Sequence, residues 1–310
     1  MLAFLGKRLL AMVATMLVVS ILVFLLLEVN GEAVAVKVLG PYSSHEQRAL
    51  WLEANGYNRT IIVRYFDWLL SMAQGNFGQS IVFHVPASEI VMERLGNTAV
   101  LGGLVFLIMV PLGLLFGVLA GMKEGSTQDR VVTLISVITT SVPEFASAVL
   151  LTVLFVFALG WLPATSSMSD GWDITQLILP VMVLVLYAFG YIARMMRASM
   201  AEVMQSPYIR TAQLKGLSYR RVIVKHALRN ALIAPFTIII LQINWLLSGV
   251  IVVEYFFNYR GFGALLLNAS LNQDIYVIQA CAMVAVFVAV GTQTIADIGY
   301  TYLNPRIRFT

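Results

Sequence analysis

The chain has 310 residues, of which 59% are hydrophobic and 12% charged, with a mean hydropathy of +0.85 and a net charge of +4. A soluble domain carries about 25% charged residues, so this composition excludes an ordinary soluble enzyme, a disordered protein and a typical nucleic-acid-binding protein. The sequence contains one cysteine and three widely separated histidines, so we expect neither a disulfide framework nor a metal site. The composition predicts an integral membrane protein.

Apolar windows of the length that crosses a bilayer, about 20 residues, recur six times along the chain. They cover residues 9–27, 98–122, 131–162, 176–193, 230–253 and 275–296. Continuous apolar runs are typical of helices rather than barrel strands, so we expect an all-α polytopic membrane protein with six transmembrane helices. The first window is too long for a cleaved signal peptide, and residues 1–28 are therefore predicted to be a retained first transmembrane helix.

The basic residues predict the orientation. With six spans and both ends on one side, fourteen of the twenty lysines and arginines fall on that side. The positive-inside rule then puts both termini in the cytoplasm. Residues 29–97 become a periplasmic segment, and residues 98–310 hold five helices with a basic cytoplasmic loop at about 194–229. Contact of the basic residues with anionic membrane lipid is a secondary expectation.

The segment 29–97 contains one predicted amphipathic helix. Apolar residues recur at helical spacing from Ile61 to Met72, and Asn58 is the expected N-cap. The run Gly75–Gly78 is expected to end the helix. It can lie in the outer headgroup layer or pack on the membrane spans.

The basic segment, residues 194–229, has eight basic residues and one acidic residue, Glu202. Ser206-Pro207 can open a short helix, Gly216 can end it in a left-handed turn, and Ser218 can cap a second helix. A solvated loop that only fixes topology is one interpretation. An ordered helix–turn–helix is the other, because a topology loop does not need an apolar stripe.

Polar residues inside the spans are candidates for a translocation path. They are Ser141, Glu144, Gln242, Asn244, Ser248 and Gln293. A charge such as Glu144 costs about 2.5–3.5 kcal/mol at the centre of a span, and the neighbouring Pro143 frees a backbone carbonyl. Hydrogen bonds between helices are an equally good explanation for any one of these residues. The four-residue repeat of Gly113, Gly117 and Gly121 predicts close helix packing.

The sequence has no GxxxxGK[ST] phosphate loop, no Gly-x-Ser-x-Gly elbow and no paired catalytic histidines. We therefore do not expect an enzyme.

Several motifs resemble a known family. The run from Tyr208 to Leu217, followed by His226 and Arg229-Asn230-Ala231, is similar to the cytoplasmic signature of binding-protein-dependent ABC importer permeases, in the dipeptide, oligopeptide and nickel group. That signature reads Glu-Ala-Ala with a later glycine, and here Arg210-Thr211-Ala212 and Gly216 take those places. Further matching runs, in chain order, begin at Arg8, Gly75, Arg94, Val252, Gly261, Asp274 and Asn304. The stretch Glu28–Glu32 departs from the family, whose members often carry Pro-Gly-Asp-Pro there.

The resemblance implies a type I ABC importer permease in the bacterial inner membrane. It implies a second homologous permease, two ABC ATPase subunits that bind ATP and Mg, and a periplasmic solute-binding protein as partners. No cofactor is expected in this chain itself and no nucleic acid as a partner. The residues implied to couple to the ATPase are Tyr208, Arg210, Thr211, Ala212, Lys215, Gly216, Leu217 and His226. Ala212 is small enough for close approach by that subunit.

The outer loop before the last span is expected to form a gate or a landing surface for the binding protein. Its candidate residues are Glu254, Arg260, Gly261, Phe262, Gly263 and Asp274. Di- or oligopeptides are the expected substrates, and nickel, an opine or an oligosaccharide are the alternatives within the same architecture. A proton-driven secondary transporter with Glu144 and Asp297 as relays is the alternative from another class, and a structural membrane scaffold is a remote third.

Overall fold

The computed structural model describes residues 2–169 and 171–303, and their side chains except those of residues 2–5, 244, 247–249 and 296–303. In this part of the chain every regular element is a helix, and the only bridged extended residues are Gln79 and Pro86. The all-α architecture predicted from the sequence is confirmed.

The helices share a high apolar content and short connections. In chain order they are α1 (Leu2–Glu28), α2 (Gly31–Leu39), α3 (His45–Ala54), α4 (Ile61–Ala73), α5 (Ala87–Gly121), α6 (Thr127–Ser141), α7 (Glu144–Thr152), α8 (Ile174–Met204), α9 (Pro207–Leu214), α10 (Tyr219–Arg221), α11 (Leu228–Ala231), α12 (Ile233–Phe256), α13 (Phe262–Leu271) and α14 (Ile275–Leu303). Two π-helical stretches extend them, Val153–Ala158 after α7 and Val222–Ala227 between α10 and α11. Helices satisfy their backbone hydrogen bonds within one segment, as a lipid environment requires.

The described residues contain between four and six candidate spans. Four helices, α1, α5, α8 and α14, have an apolar run that is long enough to cross a membrane without a break. Two further spans are present if each bent pair counts as one. The pair α6 and α7 bends by 100°, and the helix over Tyr219–Ala231 meets α12 at 54°.

The window over residues 131–162 is thus not one straight helix. α6 ends at Ser141, Val142 adopts an extended conformation (φ −83°, ψ 123°), and Pro143 precedes α7. Proline has no backbone N–H and clashes with the carbonyl four residues earlier, and it moves the preceding residue out of the helical region. The prediction of a simple span is corrected to a sharply bent helix pair, with Glu144 in the first turn of its second helix.

The chain divides into two compact units. The first contains Met1–Asn97 and Gly261–Gly291, and the second contains Thr98–Arg260 and Thr292–Thr310. α5 and α14 contribute residues to both.

In the first unit, α4 packs on α1 through aromatic contacts. The rings of Tyr65 and Trp68 lie 5.4 and 5.6 Å from that of Phe24, and the Tyr65 hydroxyl is 2.8 Å from the Ser20 hydroxyl. The predicted amphipathic helix is present. Only part of its apolar face packs against the rest of the unit, because Ile62, Phe66 and Leu70 are exposed.

The predicted cap of α4 is wrong by two residues. Thr60 takes the N-cap position (φ −62°, ψ 145°) and makes no side-chain capping hydrogen bond. Asn58 lies instead in the preceding turn, where Gly56 has φ +73° and the Arg59 N–H donates to the Gly56 carbonyl. α4 ends as expected, just before Gly75, which has φ +81°.

In the second unit, α8 is the central helix. About half of its residues are buried, and it contacts α6, α7, α11 and α12. The apolar core around it combines Leu101, Val105 and Met109 of α5 with Val250 and Val253 of α12. α8 therefore holds the other helices of this unit together.

The glycine repeat of α5 packs against α8, as predicted. A Cβ at Gly113 would lie 2.7 Å from Ile192 Cβ, one at Gly117 2.5 Å from Met196 Cβ, and one at Gly121 2.6 Å from the Arg197 carbonyl oxygen. No real Cβ approaches other atoms so closely, so the two helices can be this near only because these positions carry glycine.

We expect Gly117→Ala to destabilise the protein by about 1–3 kcal/mol, the usual result of adding a carbon atom to a packed contact. Thermal unfolding in detergent measures the loss. The matched control is Gly103→Ala on the same helix, where a Cβ would meet nothing within 4 Å and should stabilise by about 0.5–1 kcal/mol. Equal melting temperatures for the two variants would contradict the close contact.

Candidate functional site

The basic segment is a folded helix–turn–helix. Pro207 occupies the first turn of α9, Lys215 is its C-cap, and Gly216 follows with φ +74°. This left-handed conformation favours glycine. Ser218, in an extended conformation, precedes α10. The prediction of two helices separated by a glycine turn is confirmed, and the alternative of an unstructured topology loop is not.

The inner face of the basic segment is anchored to the second unit. Ile209 and Ala212 of α9 are buried in one cluster with Val222 and Ile223 and with Met196 and Met200 of α8. Two polar contacts add to this, from the Ser199 hydroxyl to the Ala231 carbonyl (2.8 Å) and from the Asn230 amide to the Tyr208 hydroxyl (2.8 Å). The segment is therefore attached to α8 through its inner face.

Burial corrects the expectation for Ala212. Its side chain is only 6% exposed and faces the cluster, so its small size serves packing within this chain. It is not on the surface that another subunit would approach. Leu217 packs against this cluster, and His226 is partly buried.

The outer face of α9 carries the other predicted residues. Tyr208, Arg210, Thr211, Lys215 and Gly216 are exposed. Leu214, which the sequence reasoning missed, is 81% exposed. The sequence spacing indicates this exposure. Ile209 and Ala212 are three residues apart and share one face of the helix, whereas Leu214 lies on a different face.

A second feature missed from sequence ties the basic segment to α6. The Arg197 guanidinium donates to both carboxylate oxygens of Asp129, at 2.9 and 2.7 Å, and Asp129 is buried in the first turn of α6. The Gly125 N–H donates to the same carboxylate (2.8 Å), and the Tyr219 hydroxyl reaches the Met122 carbonyl (3.2 Å). The loop before α6 is thus bonded both to α8 and to the basic segment.

We expect Asp129→Asn to lower the free energy of unfolding by about 1.5–3 kcal/mol, the range for hydrogen bonds to a charged group. The measurement is thermal unfolding of the purified chain in detergent. Asp67→Asn is the control, since its ion pair with Arg59 (2.9 Å) is exposed and exposed pairs contribute at most about 1 kcal/mol. A loss of equal size in both variants would mean that burial of the pair does not matter.

The predicted path residues have different surroundings. Gln242 is buried and its amide donates to the Ala188 carbonyl of α8 at 3.5 Å, which supports the helix-contact explanation for this residue. The Ser141 hydroxyl bonds within its own helix, to the Val137 carbonyl. Gln293 is partly buried, and Glu144 is half-buried. The side chains of Asn244 and Ser248, and that of Asp297, lie outside the described residues.

The predicted outer-surface residues are mostly buried. In the second unit Glu254 is fully buried and accepts a hydrogen bond from the Thr98 hydroxyl (2.5 Å), whereas Arg260 is exposed. The neighbouring Tyr259 is 2% exposed, and burial together with the Glu254 charge raises the pKa of its hydroxyl to about 12.

In the first unit, Gly261, Phe262 and Gly263 are buried at the start of α13. Asp274 is also buried, and it accepts hydrogen bonds from the Ser80 hydroxyl (2.5 Å) and the Val82 N–H. Phe262, Asp274 and Glu254 therefore present no exposed side chain for a landing surface, and the expectation that this loop forms a gate stays a prediction.

The first unit holds a polar network that the sequence reasoning also missed. Glu28, 6% exposed at the end of α1, accepts hydrogen bonds from the Tyr57 hydroxyl (2.5 Å), Arg64 (3.4 Å) and the Gln279 amide (3.1 Å). Trp68 donates to the Gln279 carbonyl oxygen (3.0 Å). Burial and the Glu28 carboxylate raise the pKa of the Tyr57 hydroxyl, which keeps it a donor. This network joins α1, α4 and α14 within the unit.

In residues 2–169 and 171–303 no three His, Cys, Asp or Glu side chains come together in a way that could hold a metal ion.

The apolar helices of the described residues are those of a multi-pass membrane protein. The family model described as binding-protein-dependent transport system inner membrane component matches residues 113–309, more than half of the chain. The chain belongs to this family.

Relatives that match this chain over their full length are named as permease proteins of transport systems. A putative peptide transport system permease protein of Brucella abortus is 35% identical, and the glutathione transport system permease protein GsiC of Salmonella choleraesuis is 34% identical. The oligopeptide transport system permease protein AppB of Bacillus subtilis is 33% identical. In each case the alignment covers the whole of both chains.

Proposed function

We propose that this chain is a transmembrane permease subunit of an ATP-driven importer that takes up short peptides delivered by a periplasmic binding protein. Its partners are a second, homologous permease and two ABC ATPase subunits, which bind ATP and Mg. The complex lies in the bacterial inner membrane with both termini of this chain in the cytoplasm. Membership of the family supports the importer role, and the names of the relatives support the peptide substrate.

One structural observation carries the proposal. The basic segment is anchored on its inner face, through Ile209 and Ala212, and exposed on its outer face, through Tyr208 and Leu214. A rigid element of this kind can transmit a rigid-body displacement. Because α9 packs against the same cluster as Met196 and Met200 of α8, force on α9 reaches the central helix of the second unit directly.

The proposed ATPase contact is the outer face of α9. Leu214 is the apolar residue that would enter a groove on that subunit, and the exposed Arg210 and Lys215 would pair with acidic groups around it. Gly216 has φ +74° with no atom within 4 Å of a built Cβ, so its role is the backbone turn and not space.

We expect Leu214→Asp to weaken association with the ATPase subunits roughly tenfold or more, since burying a leucine contributes about 1.5–3 kcal/mol. The measurement is the amount of ATPase that co-purifies with the permease in mild detergent. Because Leu214 is 81% exposed, the variant should keep its melting temperature.

Leu271→Asp is the matched control, because Leu271 is 66% exposed and lies on α13 in the other unit. It should co-purify the ATPase as the unsubstituted chain does. If Leu214→Asp also retained the ATPase fully, α9 would not be the docking element.

The substrate and the energy source are tested together in proteoliposomes that contain the complete complex and its binding protein. We expect uptake of labelled di- and tripeptides with ATP inside, and none with a proton gradient alone. Uptake driven by the gradient without ATP would overturn the ATP-driven mechanism. ATP-driven uptake of nickel, an opine or an oligosaccharide, with none of peptide, would overturn the peptide assignment.

A further inference from the structure

Three helices of the second unit that pack against one another carry polar side chains in the same region. Glu144 follows the break between α6 and α7, Tyr187 lies near the middle of α8, and Trp245 lies near the middle of α12. α7 packs against both α8 and α12. The rings of Tyr187 and Trp245 are stacked, with centroids 5.0 Å apart and an interplanar angle of 20°. Glu144 interacts electrostatically with Tyr187.

The polar face continues along α8. Tyr187, Tyr191 and Arg194 follow one another at i, i+4 and i+7, which places them on one side of the helix. The Tyr187 and Tyr191 rings are 5.7 Å apart, and the Arg194 guanidinium lies 5.3 Å from the Tyr191 ring centre. Tyr191 is 37% exposed, so this row of side chains is not sealed inside the core.

Both charges at the ends of the row lack a counter-charge. Among the described residues Glu144 makes no hydrogen bond or ion pair, and Arg194 bonds only to the Gly190 carbonyl of its own helix, at 3.4 Å. A charge within a span faces the protein interior or a water-filled cavity and has a partner there. Glu144 can therefore take a partner from outside the described residues, and Arg194, at the start of the basic segment, can bind a second charge.

The spacing of the two charges fits a short chain. Glu144 interacts electrostatically with Tyr187, and Tyr187 and Arg194 are seven residues apart, about 10 Å along a helix. An extended peptide covers about 3.3–3.6 Å per residue, so three residues cover the same length. An ammonium is attracted by a carboxylate and by aromatic faces, and a carboxylate is bound by the fork of a guanidinium.

We propose that this row is a binding site for short zwitterionic peptides, with Glu144, Tyr187 and Trp245 receiving the terminal ammonium and Arg194 receiving the terminal carboxylate. The inference rests on the proposed peptide import and names residues that contact the substrate between the middle of α8 and the start of the basic segment. Tyr191 lies between the two charges and contacts the peptide backbone.

The test uses the complete complex with its binding protein in proteoliposomes and follows uptake of three tripeptides. One has both charged ends, one lacks the α-amino group, and one has an amidated C-terminus. Glu144→Gln and Arg194→Gln remove one charge each. The binding protein has its own preference among the three peptides, but this preference is the same for every permease variant. It therefore does not affect the comparison, which uses only the change in uptake ratio from one variant to another.

We expect Glu144→Gln to lower the ratio of normal to des-amino peptide roughly tenfold and to leave the ratio of normal to amidated peptide unchanged. Arg194→Gln should do the reverse. Glu144→Asp and Arg194→Lys, which keep the charges, should restore most of each ratio. A structural defect would lower uptake of all three peptides together and would not show this crossed pattern.

Two results overturn the inference while leaving peptide import intact. In the first, either variant transports all three peptides as the unsubstituted chain does. In the second, each variant lowers the uptake of all three peptides equally, which would assign the charges to contacts with the partner permease. Failure of the unsubstituted complex to import any peptide with ATP is a different result. It overturns the proposed function, and this inference with it.

Discussion

The close approach of α5 and α6 to α8 is the constraint on which the second unit depends. A Cβ at Gly121 would be 2.6 Å from the Arg197 carbonyl oxygen, and one at Gly190 would be 2.7 Å from that of Ser136. In lipid, apolar side chains gain little by leaving their surroundings, so helix association comes from backbone proximity and well-fitted contacts of this kind. α8 also continues toward α9 and carries Tyr187 and Arg194 on its surface. Its position therefore determines where both the basic segment and the row of Tyr187, Tyr191 and Arg194 lie.

The fold was largely predictable where the membrane imposes a simple rule. Span length and apolar content predicted six windows, and the glycine repeat predicted close helix packing, which the structure shows between α5 and α8. The bend at Pro143 was visible as a proline, but its angle depends on how α6 and α7 separately pack against α8. Within residues 29–97, α3 was missed although its capping box, Ser44 with Gln47, is present in the sequence. Thr60 and Asn58 are both good caps, and the turn at Gly56 decided between them.

The candidate site was predictable only where the signal is local. Pro207, Gly216 and Ser218 act on their own backbone, so their spacing predicted the helix–turn–helix. Which face of α9 turns inward depends on Met196 and Met200, which are distant in sequence, and so Ala212 was placed on the wrong side. The pair of Asp129 and Arg197 joins residues 68 positions apart and has no sequence signature. A matching motif likewise does not separate a contact residue from a structural one, and Glu254 and Asp274 prove to be buried acceptors of hydrogen bonds.

The carboxylates of this chain differ in whether a neighbouring side chain donates a hydrogen bond to them. Glu28, Asp129, Glu254 and Asp274 are all nearly or fully buried, and each accepts a hydrogen bond from a neighbouring side chain. Leaving a buried charge without such donors is costly, and the chain avoids that cost at all four positions. Glu144 is the contrast, because it follows the break between α6 and α7, interacts electrostatically with Tyr187 and has no donor among the described residues. The described residues provide hydrogen-bond donors for the four structural carboxylates and none for Glu144. Glu144 is therefore able to bind a transported molecule reversibly.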